Sequence, residues 1–242
     1  ACCWTTHRAD VDPGENRVAQ LTESRPVLLE ASLSEHVYQQ LKWSLIAGQF
    51  RPDAKLSIRS VAKDFGTSTM PVREALKRLT SERALVSKAN RSFRVPKLDP
   101  KRVSELFFLR ANLEGLATEL AVPRLTSQKI DALEQLAAQT NEDVSTGDKS
   151  GYLSNNYSFH FTIYNSAGND ELVSIIEGLW VQSGPYLADV VDVLETSKEW
   201  RKLHSWITEA IRSRSEKLAR ELIERDIGWG TTVYSQLARR TG

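Results

Sequence analysis

The sequence predicts a mainly α protein in two parts: a small helix-turn-helix head with a β-hairpin over residues 31–98, then an all-helical antiparallel bundle of about six helices over residues 99–242. Three observations predict it. Apolar residues recur at helical spacing through most of the chain, one Gly-centred break separates two short helices, and strand-like runs are confined to the stretch before residue 98.

The 242 residues are 40% apolar and 26% charged, ordinary for a soluble globular chain and unlike a disordered one. No apolar run approaches the roughly 20 residues that span a bilayer, and the start of the chain lacks the apolar stretch of a secretion signal, so a cytoplasmic protein is expected. Cys2 and Cys3 are adjacent in a polar segment and offer neither a disulfide framework nor spaced metal ligands. Charge is uneven. Residues 31–98 hold 13 Lys and Arg against 5 Asp and Glu, net +8, which leaves −7 for the rest of a chain whose total is +1. A basic head on an acidic remainder points to a polyanion as the partner of the head.

Residues 1–30 mix Pro, Gly, Asp, Glu and Ser with little apolar periodicity and predict a flexible arm. Leu33, Val37, Leu41 and Leu45 then mark a helix that "GQFRPD" ends. A second helix from about Ile58 to Phe65 closes at Gly66, and a third runs from about Met70 to Arg83. "LVSKANRSFRVP" reads as two β-like runs around an Ala-Asn-Arg-Ser turn, a hairpin with a basic tip. Helices follow near 99–122, 126–144, 149–167, 170–191, 198–213 and 215–238, separated by Pro123, "STGD", "AGND" and "LETS".

In the head, the small Ala62 lets two helices approach, Gly66 permits a turn with positive φ, and Val72 packs the third helix on the second. Thr67 or Ser68 can cap the third helix, and Pro71 in its first turn sacrifices no intrahelical bond. Small polar residues and unpaired N–H groups at that tip suit end-on entry into a nucleic-acid groove. The bland alternative makes Arg73 and Glu74 ordinary surface charges, and leaves the charge segregation, the hairpin and the helix spacing as unrelated coincidences.

The stretch "LIAGQFRPDAKLSIRSVAKDFGTSTMPVREALKRLTSERALVSKANRSFRV" resembles the winged helix-turn-helix of GntR-type bacterial transcription regulators across residues 33–96, with "PVREAL.RL" as its most specific mark. The resemblance implies that Arg59 and Arg73 bind DNA, that Ser68, Thr69 and Met70 lie at the groove, and that Asn90 and Arg91 form the wing tip. Two positions depart from the pattern: many relatives carry Arg where Thr69 stands and Gly where Ser92 stands. A Thr cannot make the bidentate guanine contact of an Arg, so the operator sequence is expected to differ.

In the bundle, polar groups interrupt apolar stripes. His204 lies on the face of Trp200, Leu203, Ile207 and Ile211, and Asp226 falls in the stripe of Ala219, Leu222, Ile223, Val233 and Leu237. Asn156 and His160 stand one turn apart on a third helix. These four groups fit either a mononuclear Zn, Ni or Mn site or a metal-free network in which His204 pairs with Asp226. Arg110, near the stripe of Val103, Leu106, Leu113 and Ala117, either grips a carboxylate ligand or pairs with Glu114 four residues on. Trp180, Gln182 and Tyr186 are candidates for pocket walls or simply for core. His7, in the arm, and His36, in the head, carry no such pattern.

Residues 99–240 resemble the FCD ligand-binding domain of the FadR-type branch of that family, through "LRANLEGLATELA", "FHFTIYNSAGN" and "LHSWITEAI". That resemblance implies an all-helical bundle holding a divalent metal with a small carboxylate effector beside it. Its metal-holding members usually offer one Asp and three His; here the four positions are Asn156, His160, His204 and Asp226. The expectation is a homodimeric DNA-binding regulator, most often a repressor in this family, that grips a palindromic operator until a carboxylate metabolite alters the spacing of its heads. The alternatives are a metal-free DNA-binding scaffold without effector, and a helical metalloenzyme. Against the enzyme, the sequence has no paired Glu-x-x-His motifs and no G-x-S-x-G.

Overall fold

The computed structural model describes residues 30–88, 92–97, 99–194 and 200–241. The chain divides into two compact units whose seam in sequence falls between Lys97 and Leu98.

The first unit opens with α1 (Glu30–Ile46), which buries Val37, Tyr38, Leu41 and Leu45. Gly48, at φ 60°, turns the chain out of the helix. Strand β1 (Lys55–Ser57) leads directly into α2 (Ile58–Asp64), whose first turn is capped by the Ser57 hydroxyl accepting from the Ser60 N–H. Gly66, at φ 54°, supplies the left-handed turn that any side chain would strain, and α3 (Thr69–Ser81) follows. Ser68 occupies the N-cap position of α3 without a side-chain capping bond, and the buried Thr67 hydroxyl has no partner, so the expected cap is absent from the structure. Val72, Ala75, Leu76 and Leu79 bury the inner face of α3.

The hairpin strands β2 (Val86–Lys88) and β3 (Ser92–Arg94) form as expected, but the sheet has three strands. β3 lies in the middle, with β1 antiparallel on its free edge in the register Leu56 opposite Phe93. β1 is only three residues long, too short to display an alternating pattern, and it forms because Leu56 and Phe93 bury together.

The second unit contains α4 (Pro100–Ala121), a 3₁₀ turn (Val122–Arg124), α5 (Ser127–Thr146), α6 (Lys149–Tyr164), α7 (Asp170–Leu194), α8 (Trp200–Arg212) and α9 (Glu216–Thr241). Side-chain caps start three of these: Asp99 accepts from Lys101, Thr126 from Lys129, and Asp148 from Gly151. α4 packs along α9, α5 against α6 and α8, and α7 against α4. The α4–α9 approach is close at Gly230, where a Cβ would stand 2.5 Å from a Phe107 ring carbon. Among the described residues, no helix is long and apolar enough to cross a membrane.

Candidate functional site

Two sites emerge, one in each unit. In the first, the leading end of α3 presents Ser68, Thr69 and Met70 to solvent, with Met70 58% exposed despite its apolar side chain. The first-turn N–H groups of any helix lack intrahelical partners, so this end carries donors and a partial positive charge. Arg59, exposed in the first turn of α2, and Arg73, half-buried on α3, form no ion pair among the described residues. Arg73 lines a groove of about 300 Å³ together with Lys77, Thr80, Ile58, Ser87 and Phe93. Arg78, by contrast, is engaged inside the unit. It contacts Glu35 at 2.7 Å and Glu82 at 3.2 Å while lying 3.6 Å over the Tyr38 ring. Asn90 and Arg91, expected at the wing tip, lie outside the described residues.

In the second unit, His160 of α6, His204 of α8 and Asp226 of α9 converge, each with one ligand atom within 4.8 Å of the others'. All three are buried. The pairing differs from the expected one: His160 Nε2, not His204, contacts Asp226, at 3.3 Å from Oδ2. His204 instead places Nδ1 3.2 Å from Thr140 Oγ1. That hydroxyl donates its single proton to the Ala137 carbonyl, so it accepts from Nδ1–H, and the Nε2 of a neutral His204 is left as a lone pair. Phe159 stacks on the His204 ring at 4.2 Å and holds its plane.

Burial drives the His204 imidazole down to about 4 against the opposing pull of Asp226, so it is neutral at pH 7. Burial alone would raise the Asp226 carboxyl, but the His160 contact, the His204 imidazole and the Arg110 guanidinium outweigh it, and the group titrates below its ordinary range. Asp226 Oδ1 is buried with no hydrogen-bond partner. An ionised oxygen in that position is costly without a cation or donor beside it. Two imidazoles and a carboxylate with an unused oxygen therefore fit a divalent ion of the Zn, Ni or Mn kind.

Asn156, the fourth expected group, stands one turn before His160, and its Oδ1 accepts from the Tyr152 hydroxyl at 3.3 Å. Arg110 does point inward, at 1% exposure, with two of its five N–H groups engaged inside the unit. Nε donates to Glu114 at 2.6 Å and Nη1 to Ser183 at 3.0 Å, so the internal pair is the arrangement adopted. Trp180 packs against both groups, 4.4 Å from the guanidinium and 5.3 Å from the His160 ring, with its Nε1–H buried and unpartnered. Tyr186 is core, and Gln182 accepts from Arg102.

Sequence reasoning missed Tyr152, Tyr164, Thr140 and Ser183. The signal for two of them was present: Tyr152, Asn156, His160 and Tyr164 repeat every four residues and share one face of α6.

Comparison with known proteins follows this division. The family model described as the FCD domain matches residues 105–228, and the one described as bacterial regulatory proteins of the gntR family matches residues 33–95. The chain is 31% identical to the HTH-type transcriptional regulator McbR of Escherichia coli (strain K12) over 215 residues, which cover 86% of this chain and 96% of that one. It is 26% identical to the HTH-type transcriptional repressor GlaR of the same organism, over 78% of this chain and 90% of that one. The solved structure of E. coli McbR/YncC superposes with a TM-score of 0.79 at 28% identity, covering 85% of this chain and 98% of the other.

Proposed function

This chain belongs to the gntR family of bacterial regulatory proteins and carries an FCD domain, and from that premise we propose that it is a homodimeric, cytoplasmic repressor of a palindromic operator, controlled by a small carboxylate metabolite bound beside a divalent cation. Its membership makes it a DNA-binding transcription regulator rather than an enzyme. The regulatory half of the proposal is carried by one observation, the convergence of His160, His204 and Asp226 within 4.8 Å.

The exposed tip Ser68, Thr69 and Met70 enters the major groove, while Arg59 and Arg73 anchor phosphates or base edges on either side. Reading two half-sites requires two heads related by a two-fold axis. A further support for dimerisation is the outer face of α4, where Phe108 and Leu109 stand 68% and 47% exposed with Leu116 two turns beyond. Monomers rarely leave such a stripe in water.

His160, His204 and Asp226 would hold the cation, with the neutral oxygen of Asn156 as a fourth donor. The cation would supply positive charge for a carboxylate ligand, and Trp180 Nε1–H is an unused donor toward it. A ligand controls the protein only by binding one arrangement of the heads better than the other. The rival is a proton: a doubly protonated His160 against Asp226 closes the network without metal, and the 3.3 Å contact suits it as well. The experiment is selection of duplexes by the full chain from a random pool, with elemental analysis of the same preparation. The reading expects an inverted repeat and about one divalent ion per chain. No enrichment, or no ion after attempted reloading, removes the corresponding half.

A further inference from the structure

The polar residues around His160 form a continuous chain whose directions can be worked out from chemistry alone. Arg110 donates to Glu114 Oε1 at 2.6 Å, and Tyr164 donates to Glu114 Oε2 at 2.6 Å. Glu114 as a carboxylate can only accept, and the Tyr164 hydroxyl has a single proton, so that proton is committed to Glu114. The same oxygen lies 2.8 Å from His160 Nδ1 and has only an acceptor left to offer. His160 must therefore carry a proton on Nδ1, so Nε2, on the opposite edge of the ring and 3.3 Å from Asp226 Oδ2, is the position where a cation or a second proton sits against the carboxylate.

We propose that Tyr164, oriented by the Arg110–Glu114 pair, is a positioning residue that fixes His160 in its Nδ1-protonated form and so makes Nε2 available to a cation. The proposal rests on the cation site of the preceding section. It gives Arg110 a task different from gripping the effector: the buried guanidinium anchors a carboxylate, the carboxylate orients a phenol, and the phenol sets the tautomer of a ligand. All four side chains are buried, at 1% exposure or less, so water cannot substitute for a missing member. Outer partners of this kind typically change metal affinity 10–100-fold. Without Tyr164, Asp226 is the strong acceptor left beside the ring among the described residues, and the imidazole would place its proton on Nε2 to reach it. The lone pair would then face the wrong way.

The test uses the full chain labelled with ¹⁵N-histidine, stripped with chelator and titrated with zinc alone. His160 is assigned by loss of its signal in His160→Gln. The wild type is expected to carry a proton on His160 Nδ1, whether the ring is neutral or doubly protonated. In Tyr164→Phe the signature should move to Nε2–H, and the zinc dissociation constant should rise about 10–100-fold. A wild-type His160 with Nδ1 unprotonated overturns the proposal without any variant. Unchanged tautomer and unchanged zinc affinity in Tyr164→Phe overturn it as well. If the wild type has the Nδ1–H form, which Tyr164→Phe abolishes, yet takes up no zinc, the cation reading fails while the positioning of His160 stands.

Discussion

His160 Nε2 lies 3.3 Å from Asp226 Oδ2, joining α6 to α9 through two buried groups, with the second imidazole of His204 inside the same 4.8 Å cluster. Such an arrangement is stable only if something positive occupies the middle, a proton or a metal ion. Zinc at about 100 times its dissociation constant is expected to stabilise the chelator-stripped protein by about 2.7 kcal/mol. Thermal unfolding with and without zinc measures this, and the gain should vanish in His160→Ala and Asp226→Ala. Equal stabilisation of the variants would mean that zinc binds elsewhere.

A second expectation concerns pH. His204 titrates near 4 in the folded protein because burial disfavours its charged form, whereas an unfolded histidine titrates near 6.5. Between those values the unfolded chain binds more protons, so the contribution of His204 is complete above about pH 6.5 and is lost as pH falls toward 4, up to roughly 3 kcal/mol. Urea unfolding of stripped protein at a series of pH values should reveal this slope, and His204→Gln should flatten it. An identical slope in that variant would contradict the neutral, buried imidazole.

Arg110 and Glu114 form an ion pair at 1% and 0% exposure. Removing one partner strands a buried charge, so Arg110→Leu should cost about 3–5 kcal/mol. Arg110→Leu with Glu114→Leu removes both charges and should recover part of that loss, although Tyr164 then loses its acceptor. Chemical denaturation of the single and double variants reads the difference. A double variant that simply sums two large losses would argue against the pairing.

In the head, two arginines five residues apart on α3 are assigned opposite fates. Arg73 forms no ion pair among the described residues, whereas Arg78 is held by Glu35, Glu82 and the Tyr38 ring. Arg73→Ala should weaken duplex binding and, where the contact is to phosphate, lower the slope of log affinity against log salt by about 1. Arg78→Ala should lower thermal stability with little change in that slope. Thr69→Arg should change which sequence is selected, because Arg adds a bidentate guanine contact. Fluorescence anisotropy over a salt series distinguishes these outcomes.

The helices were legible because burial imposes a period that runs of Leu, Val and Ile display: the predicted spans near 126–144 and 170–191 correspond to α5 (Ser127–Thr146) and α7 (Asp170–Leu194). Strand β1 was not legible, since its three residues acquire strand geometry only by pairing with β3. Ser68 has the identity of a cap but makes no capping bond. Within the cluster, helical phase identified which polar groups point inward, and so brought out His160, His204, Asp226 and Arg110. It carried no information on which inward groups meet. The partner of Asp226 is His160 because the fold brings the two side chains within 3.3 Å, a matter of contact between helices rather than of period along one. Thr140 and Tyr164 escaped notice because a hydroxyl on a helix is unremarkable until its neighbour across the core is known.

The most direct measurement is the affinity of the full chain for its selected duplex with zinc present, titrated with a panel of small carboxylates, in the wild type and in His160→Ala with His204→Ala. In the wild type one carboxylate should shift the duplex dissociation constant about 5–150-fold, a typical coupling between two sites. The double variant should keep its grip on DNA and lose the response. A carboxylate effect of equal size in both proteins would contradict the account, since control would then arise away from the imidazole–carboxylate cluster.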